Sequence, residues 1–276
     1  GGTAALTIQG GDADTGDVTV ADYESTGTLT LGNSLNAGAV AITTKGTEGR
    51  TIALGTSANV TSRALTASSL ADGQTLTLTG NKALTLSTVS ADVNAEAYAG
   101  ALTATVTNAA AATFQTGTAA STLTAAGAAA LTIDADAGSG TAGALTIAGD
   151  GGGAVSVTGV EANVTLDDGF TGTGALSITT GNASMTLALG TSNTSSSRTV
   201  NSSGADTDKT VTLTGSRALT LTSGEADIVA TGHSGAVTAT VDNANAATLT
   251  IGTGATTLNT NGAGTLTVNG DAGGTA

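Results

Sequence analysis

The chain carries the same text twice, about 135 residues apart, and a fold built from it must be one that can be continued. Thr51-Ile-Ala-Leu-Gly-Thr-Ser57 returns as Thr186-Leu-Ala-Leu-Gly-Thr-Ser192, and Gly100-Ala-Leu-Thr-Ala-Thr-Val106 returns as Gly235-Ala-Val-Thr-Ala-Thr-Val241. Thr75-Leu-Thr-Leu-Thr-Gly80 returns as Thr210-Val-Thr-Leu-Thr-Gly215. About half the positions of 51–141 match their counterparts in 186–276 without a gap, well above chance even for a biased composition. Gly273-Gly-Thr-Ala276 also reads like Gly1-Gly-Thr-Ala4, as in a segment excised from a longer array. The expected organisation is two repeat units, 1–140 and 141–276, in one continuous architecture.

Within each unit, short segments alternate an aliphatic residue with Thr, Ser or Ala. Examples are Ala5-Leu-Thr-Ile8, Thr28-Leu-Thr-Leu31, Ala83-Leu-Thr-Leu86, Ala144-Leu-Thr-Ile147, Ala218-Leu-Thr-Leu221 and Thr265-Leu-Thr-Val268. A period of two puts the aliphatics on one face and the hydroxyls on the other, the mark of a half-buried strand. Branching at Cβ makes Thr and Val favour that conformation. Between the segments lie Gly, Asn, Asp and Ser clusters such as Gly149-Asp-Gly-Gly-Gly153, which turn corners at little steric cost. The rhythm fits many short strands.

Two all-β folds share this rhythm: a β-solenoid of the parallel β-helix kind, and tandem β-sandwich domains. A sandwich core is about 10 Å thick and takes large residues from both sheets. This chain has two Phe, two Tyr and no Trp, so its core must be thin and aliphatic. It has no proline either, which suits a fold where each rung needs its N–H groups for the next. The solenoid is therefore expected. Uneven strand spacing implies coils of unequal length, and Ala109–Ala112 and Ala91–Ala99 are candidate short helical turns.

Charge narrows the role. Seven basic residues face twenty-one acidic ones, a net charge of −14. Nucleic acid and anionic membranes both call for a basic surface, so neither is an expected partner. No run is long and apolar enough to span a bilayer as a helix. The sole histidine, His233, has Tyr98 as its counterpart in the first unit and reads as a semi-exposed turn residue rather than a catalytic base. Arg63 and Arg198 correspond, as do Lys82 and Arg217, and read as solvated side chains. Gly149–Gly153 lacks the lysine and helix of a phosphate loop and reads as a corner.

Carboxylates give the one metal candidate. Asp12, Asp14 and Asp17, and Asp134 and Asp136, form Asp-x-Asp turns around glycine. Calcium takes several oxygens at a bend, so these five residues are its candidate ligands and calcium is the one cofactor entertained. A solvated turn explains the same pattern.

Phrases such as Gly143-Ala-Leu-Thr-Ile-Ala-Gly149 and Gly262-Ala-Gly-Thr-Leu-Thr-Val-Asn-Gly270, in cysteine-free text rich in Thr, Ala and Gly, resemble the β-solenoid regions of bacterial surface-layer proteins and giant secreted adhesins. The resemblance covers the whole chain and is compositional. It implies an extracellular or cell-surface structural protein, not an enzyme, which stacks and self-associates into a layer, sheath, filament or stalk. The calcium-binding Gly-Gly-x-Gly-x-Asp nonapeptide of such proteins is absent here. The alternative is an adhesin or ice-binding module presenting a Thr-rich face, from Thr-x-Thr pairs such as Thr28-Leu-Thr30. That role needs the pair in register on successive coils, and the uneven spacing speaks against it.

Overall fold

A computed structural model describes residues 2–10, 16–35, 38–56, 60, 62–136, 138, 141–191 and 198–270. Two compact units are distinguished, Gly1–Ile133 with Ala137–Gly143, and Asp134–Asp136 with Ala144–Ala276. The described residues form twenty-six strands and no helix.

In unit 1 the strands are β1 (Leu6–Ile8), β2 (Val18–Tyr23), β3 (Leu29–Leu31), β4 (Ala39–Gly46), β5 (Arg50–Ala53), β6 (Ser62–Leu70), β7 (Thr75–Thr79), β8 (Leu84–Val89), β9 (Asp92–Asn94), β10 (Leu102–Val106), β11 (Ala112–Gln115), β12 (Ser121–Ala125) and β13 (Leu131–Asp134), the last reaching the boundary. Unit 2 holds β14 (Leu145–Ala148), β15 (Val155–Val160), β16 (Val164–Leu166), β17 (Leu176–Thr180), β18 (Met185–Ala188), β19 (Arg198–Asn201), β20 (Thr210–Gly215), β21 (Leu219–Ser223), β22 (Asp227–His233), β23 (Val237–Val241), β24 (Ala247–Thr250), β25 (Thr256–Thr260) and β26 (Leu266–Asn269).

Within each unit, each strand pairs with the next but one. In unit 1 the odd strands form one ladder and the even strands another, and unit 2 repeats the scheme. Neighbouring strands of each ladder, such as β3 and β5 in unit 1 or β21 and β23 in unit 2, run parallel. Parallel neighbours require a crossover of a dozen or more residues. Here the crossover is itself a strand of the other ladder, so the chain winds in coils. The fold is a β-solenoid of parallel stacked coils, as the thin aliphatic core requires. Antiparallel sandwiches are excluded by the strand direction.

The alternation sets what is inside. In unit 1 the inner column Val20–Ile42–Leu65–Leu86–Ala104–Leu123 runs rung over rung through β2 to β12. Facing it, Leu29, Ile52 and Leu78 stack on the odd ladder, each fully buried. In unit 2 the column Val157–Ile178–Val200–Leu221–Ala239 is equally buried. Burying each such Leu, Ile or Val contributes about 1.5–3 kcal/mol. Ala104 and Ala239 occupy the same position in the two copies, so a small buried residue recurs at that rung of the core.

Two local expectations are corrected. Ala112 opens strand β11 and Asp92–Asn94 is strand β9; of a helical turn there is only the single turn in which Tyr98 N donates to the Ala95 carbonyl at 2.8 Å. Alanine's helix preference is a few tenths of a kcal/mol per residue. It is outweighed once Phe114 and Val93 are drawn into the core as register partners. Coil lengths do vary, from seventeen residues between the partners Thr210 and Asp227 to twenty-six between Met185 and Val211.

Candidate functional site

The chemically distinctive side chains are not on the surface. Tyr98 and His233 are each only 1 % exposed, and Arg50, Arg63, Arg198 and Arg217 are buried. The expected semi-exposed turn at 98 and 233, and solvated side chains at 63, 198 and 217, are thereby corrected; Lys82 is half-buried.

Their placement follows from the corners of the coil. Strand β7 is followed directly by Gly80 and β20 ends at Gly215, glycines with φ of +138° and +132° that swing the chain around. Tyr98 and His233 lie one coil later, paired in parallel with those glycines. Each ring tucks under the preceding coil. The Tyr98 hydroxyl donates to the Lys82 carbonyl, and His233 Nε2 donates to the Arg217 carbonyl at 2.9 Å. A carbonyl only accepts, so the proton of neutral His233 is on Nε2. Tyr and His thus do one job, an aromatic ring with a donor at its far end.

The corner is tightly stacked. A Cβ at Gly117 or Gly252 would collide with the carbonyl oxygen of Tyr98 or His233, and one at Gly100 or Gly235 with that of Lys82 or Arg217. These four glycines are dictated by backbone approach, not by dihedral angle. Asn108 and Asn243 complete the pattern, both buried. Asn108 Nδ2 donates to Ala110 at 2.8 Å and to Ala130, one coil on, at 2.9 Å. Asn243 Nδ2 donates to Asn245 at 2.6 Å and Thr265 at 3.1 Å.

The arginines sit inside aliphatic columns. Arg198 stacks between Leu176 and Leu219, and Arg63 over Val40. An Arg198 Nη donates to the Leu189 carbonyl, and its guanidinium lies 6.0 Å from the Phe170 ring centre. Burial, and then the charge of Arg217, lowers the Arg198 pKa to about 10. Burial lowers Arg63 as well, with Tyr98 opposing. Burial pushes the Tyr98 phenol up to about 12. Burial also lowers His233, against hydrogen bonding to Arg217 and Thr214. Each shift disfavours the charged form in an apolar setting.

Acidic residues serve the ladder. Asp92 Oδ1 accepts from Thr113 N and its counterpart Asp227 Oδ1 from Thr248 N, both at 2.7 Å. Among the calcium candidates, Asp12 and Asp14 lie outside the described residues. Asp17 Oδ1 accepts from Ala39 N of the next coil at 2.8 Å. Asp134 Oδ1 accepts from Asp136 N at 3.2 Å, a hydrogen-bonded Asx turn. No three acidic, His or Cys side chains converge among the described residues. The Gly149–Gly153 segment lies between β14 and β15.

Surface clefts are shallow. One of about 290 Å³ is lined by Ser62, Arg63, Lys82, Thr85 and Thr103, and another of about 530 Å³ by Asp167, Asp168, Thr191 and Thr214. Sequence reasoning missed the buried asparagines, although Asn108 and Asn243 match across the two copies, as do the alanines that follow them. The class defined by fold and site is a β-solenoid whose polar side chains staple coil to coil. No protein-family model, curated protein or solved structure matches the chain.

Proposed function

We propose that this chain is a structural module of an extracellular, cell-surface protein, a stack of coils that provides stiffness and spacing and associates with further copies of itself. One observation carries the reading. The side chains with the most chemistry, at 63, 98, 108, 198, 233 and 243, are buried, and those whose hydrogen bonds are resolved hold backbone carbonyls within the stack. A solenoid gains stability by nearest-neighbour interfaces, so such staples add to cohesion along its axis. A ladder edge left open is adhesive by nature, because unpaired N–H and C=O groups template another strand. The acidic surface keeps separate stacks soluble until they engage.

Sedimentation velocity and electron microscopy of the full chain over a wide concentration range test this. The expected result is mass that grows with concentration, in elongated or layered assemblies. Single copies at every concentration, with or without calcium, would overturn the self-association.

A further inference from the structure

The unequal coils do not spoil the Thr-x-Thr pattern, because the extra residues are taken up between strands while the strands stay in register. On the odd ladder of unit 2, Ser156, Ser177, Thr199, Thr220, Thr238 and Thr257 form one outward file over six rungs. Two residues along each rung, Thr179, Asn201, Thr222, Thr240 and Asn259 form a second file over five. No bulge interrupts the pairing from β17 to β25. None of these eleven side chains is buried.

Strand propensity alone would furnish both faces of the unit alike. It does not. On the even ladder, the file through Thr165 and Thr214 is broken by Ala188, that through Thr212 by Val229, and Asp227 opposes Thr210. A register shift also disrupts β20 against β22. One face is a regular net and the other is not.

Rungs of a sheet lie about 4.7–4.9 Å apart, and alternate residues along a strand about 6.6 Å apart. The odd face therefore offers hydroxyl and amide groups on a two-dimensional grid. The threonine methyls restrict χ1, so the grid is stiff before anything binds. Every outward residue on it is uncharged, in a chain of net charge −14. Glycan surfaces are commonly gripped by stacked aromatic rings, but all four aromatics here are buried. A neutral, periodic partner that offers hydrogen bonds at every lattice point is what remains.

We propose that this face binds ice: the methyl groups order the adjoining water and the polar files anchor it in a lattice-like layer. The test is thermal hysteresis and ice-recrystallisation inhibition of the purified full chain. The unaltered chain is expected to open a gap between melting and freezing and to keep crystals small. Thr220→Tyr with Thr238→Tyr, which raises bulk on two adjacent rungs within the file, is expected to abolish both effects. Thr212→Tyr with Thr248→Tyr on the even face is expected to leave them intact. Far-UV circular dichroism establishes that each variant keeps its sheets; if the odd-face tyrosine pair does not, Thr220→Lys with Thr238→Lys replaces it, and if the even-face pair does not, Thr212→Lys with Thr248→Lys does. Crystal growth indistinguishable from buffer would overturn the proposal, as would equal loss in both pairs. Sedimentation distinguishes the other occupant: if Thr220→Tyr with Thr238→Tyr disperses assemblies of a chain that shows no hysteresis, the face is a self-contact and not an ice surface.

Discussion

The corner at Tyr98 and the corner at His233 are the same piece of architecture filled by different chemistry. Both rings pair with a positive-φ glycine, donate to the carbonyl of residue 82 or 217, and are roofed by a glycine that admits no Cβ. What the fold demands at this point is a flat side chain with a distal donor; it is indifferent to whether that donor is a phenol or an imidazole. The two differ in what pH does to them. Burial raises Tyr98 to about 12 and lowers His233, so one corner is vulnerable to alkali and the other to acid.

The harshest way to break the equivalence is to add bulk to the roof. Gly117→Val and Gly252→Val each force a side chain into a backbone oxygen, which cannot rotate away. A cost of roughly 3 kcal/mol is expected for each, at the upper end for overpacking. Hydrogen exchange followed by mass spectrometry should place the loss in the coils of the altered unit. Protection unchanged at that corner would show that it relaxes.

Removing the asparagine staples should cost less. Asn108→Ala and Asn243→Ala each deprive two carbonyls of a donor, for about 2 kcal/mol. Urea unfolding of the two variants is expected to give similar losses; a large difference would mean that the two turns are not equivalent after all.

The pH contrast is subtler. His233 is held neutral in the folded chain, with its pKa below 6.5. As pH falls through about 6.5 the unfolded chain takes up a proton more readily, so stability drops until the lower, folded pKa is passed. Tyr98 works in the other direction. The unfolded phenol ionises near 10 and the folded one near 12, so stability falls as pH rises between them. His233→Tyr should therefore reduce the acid sensitivity of unit 2, and Tyr98→His should confer it on unit 1. Melting from pH 5 to 8 for the two variants against the parent measures this; parallel profiles would remove His233 as a source of the acid response.

The smallest effect is expected at Asp134 and Asp136. Asp134→Asn with Asp136→Asn should keep stability within about 0.5 kcal/mol, as for ordinary surface substitutions. Chelator should leave parent and variant melting alike. A chelator-dependent fall in the parent alone would install calcium at that turn.

Much of the fold is legible from local text. Leu76 and Leu78 flanking Thr77, or Leu219 and Leu221 flanking Thr220, declare a strand and its inner face without any partner being known. Strands such as β12 and β19 are harder to see, because they open inward on Ser121 and Arg198. The staples are harder still. Nothing near Asn108 states that Ala130 will lie above it, and nothing near Tyr98 states that Gly80 will lie beneath.

Periodicity, the internal repeat and the want of large side chains were enough by themselves to favour a coiled stack of strands with an aliphatic interior over tandem sandwiches, since those properties are local or depend only on volume. Which corner residues turn inward, and whether outward threonines line up into files, was decided by the tertiary structure alone. Both depend on the register between coils seventeen to twenty-six residues apart, and that register is set by packing of the whole column rather than by any one segment.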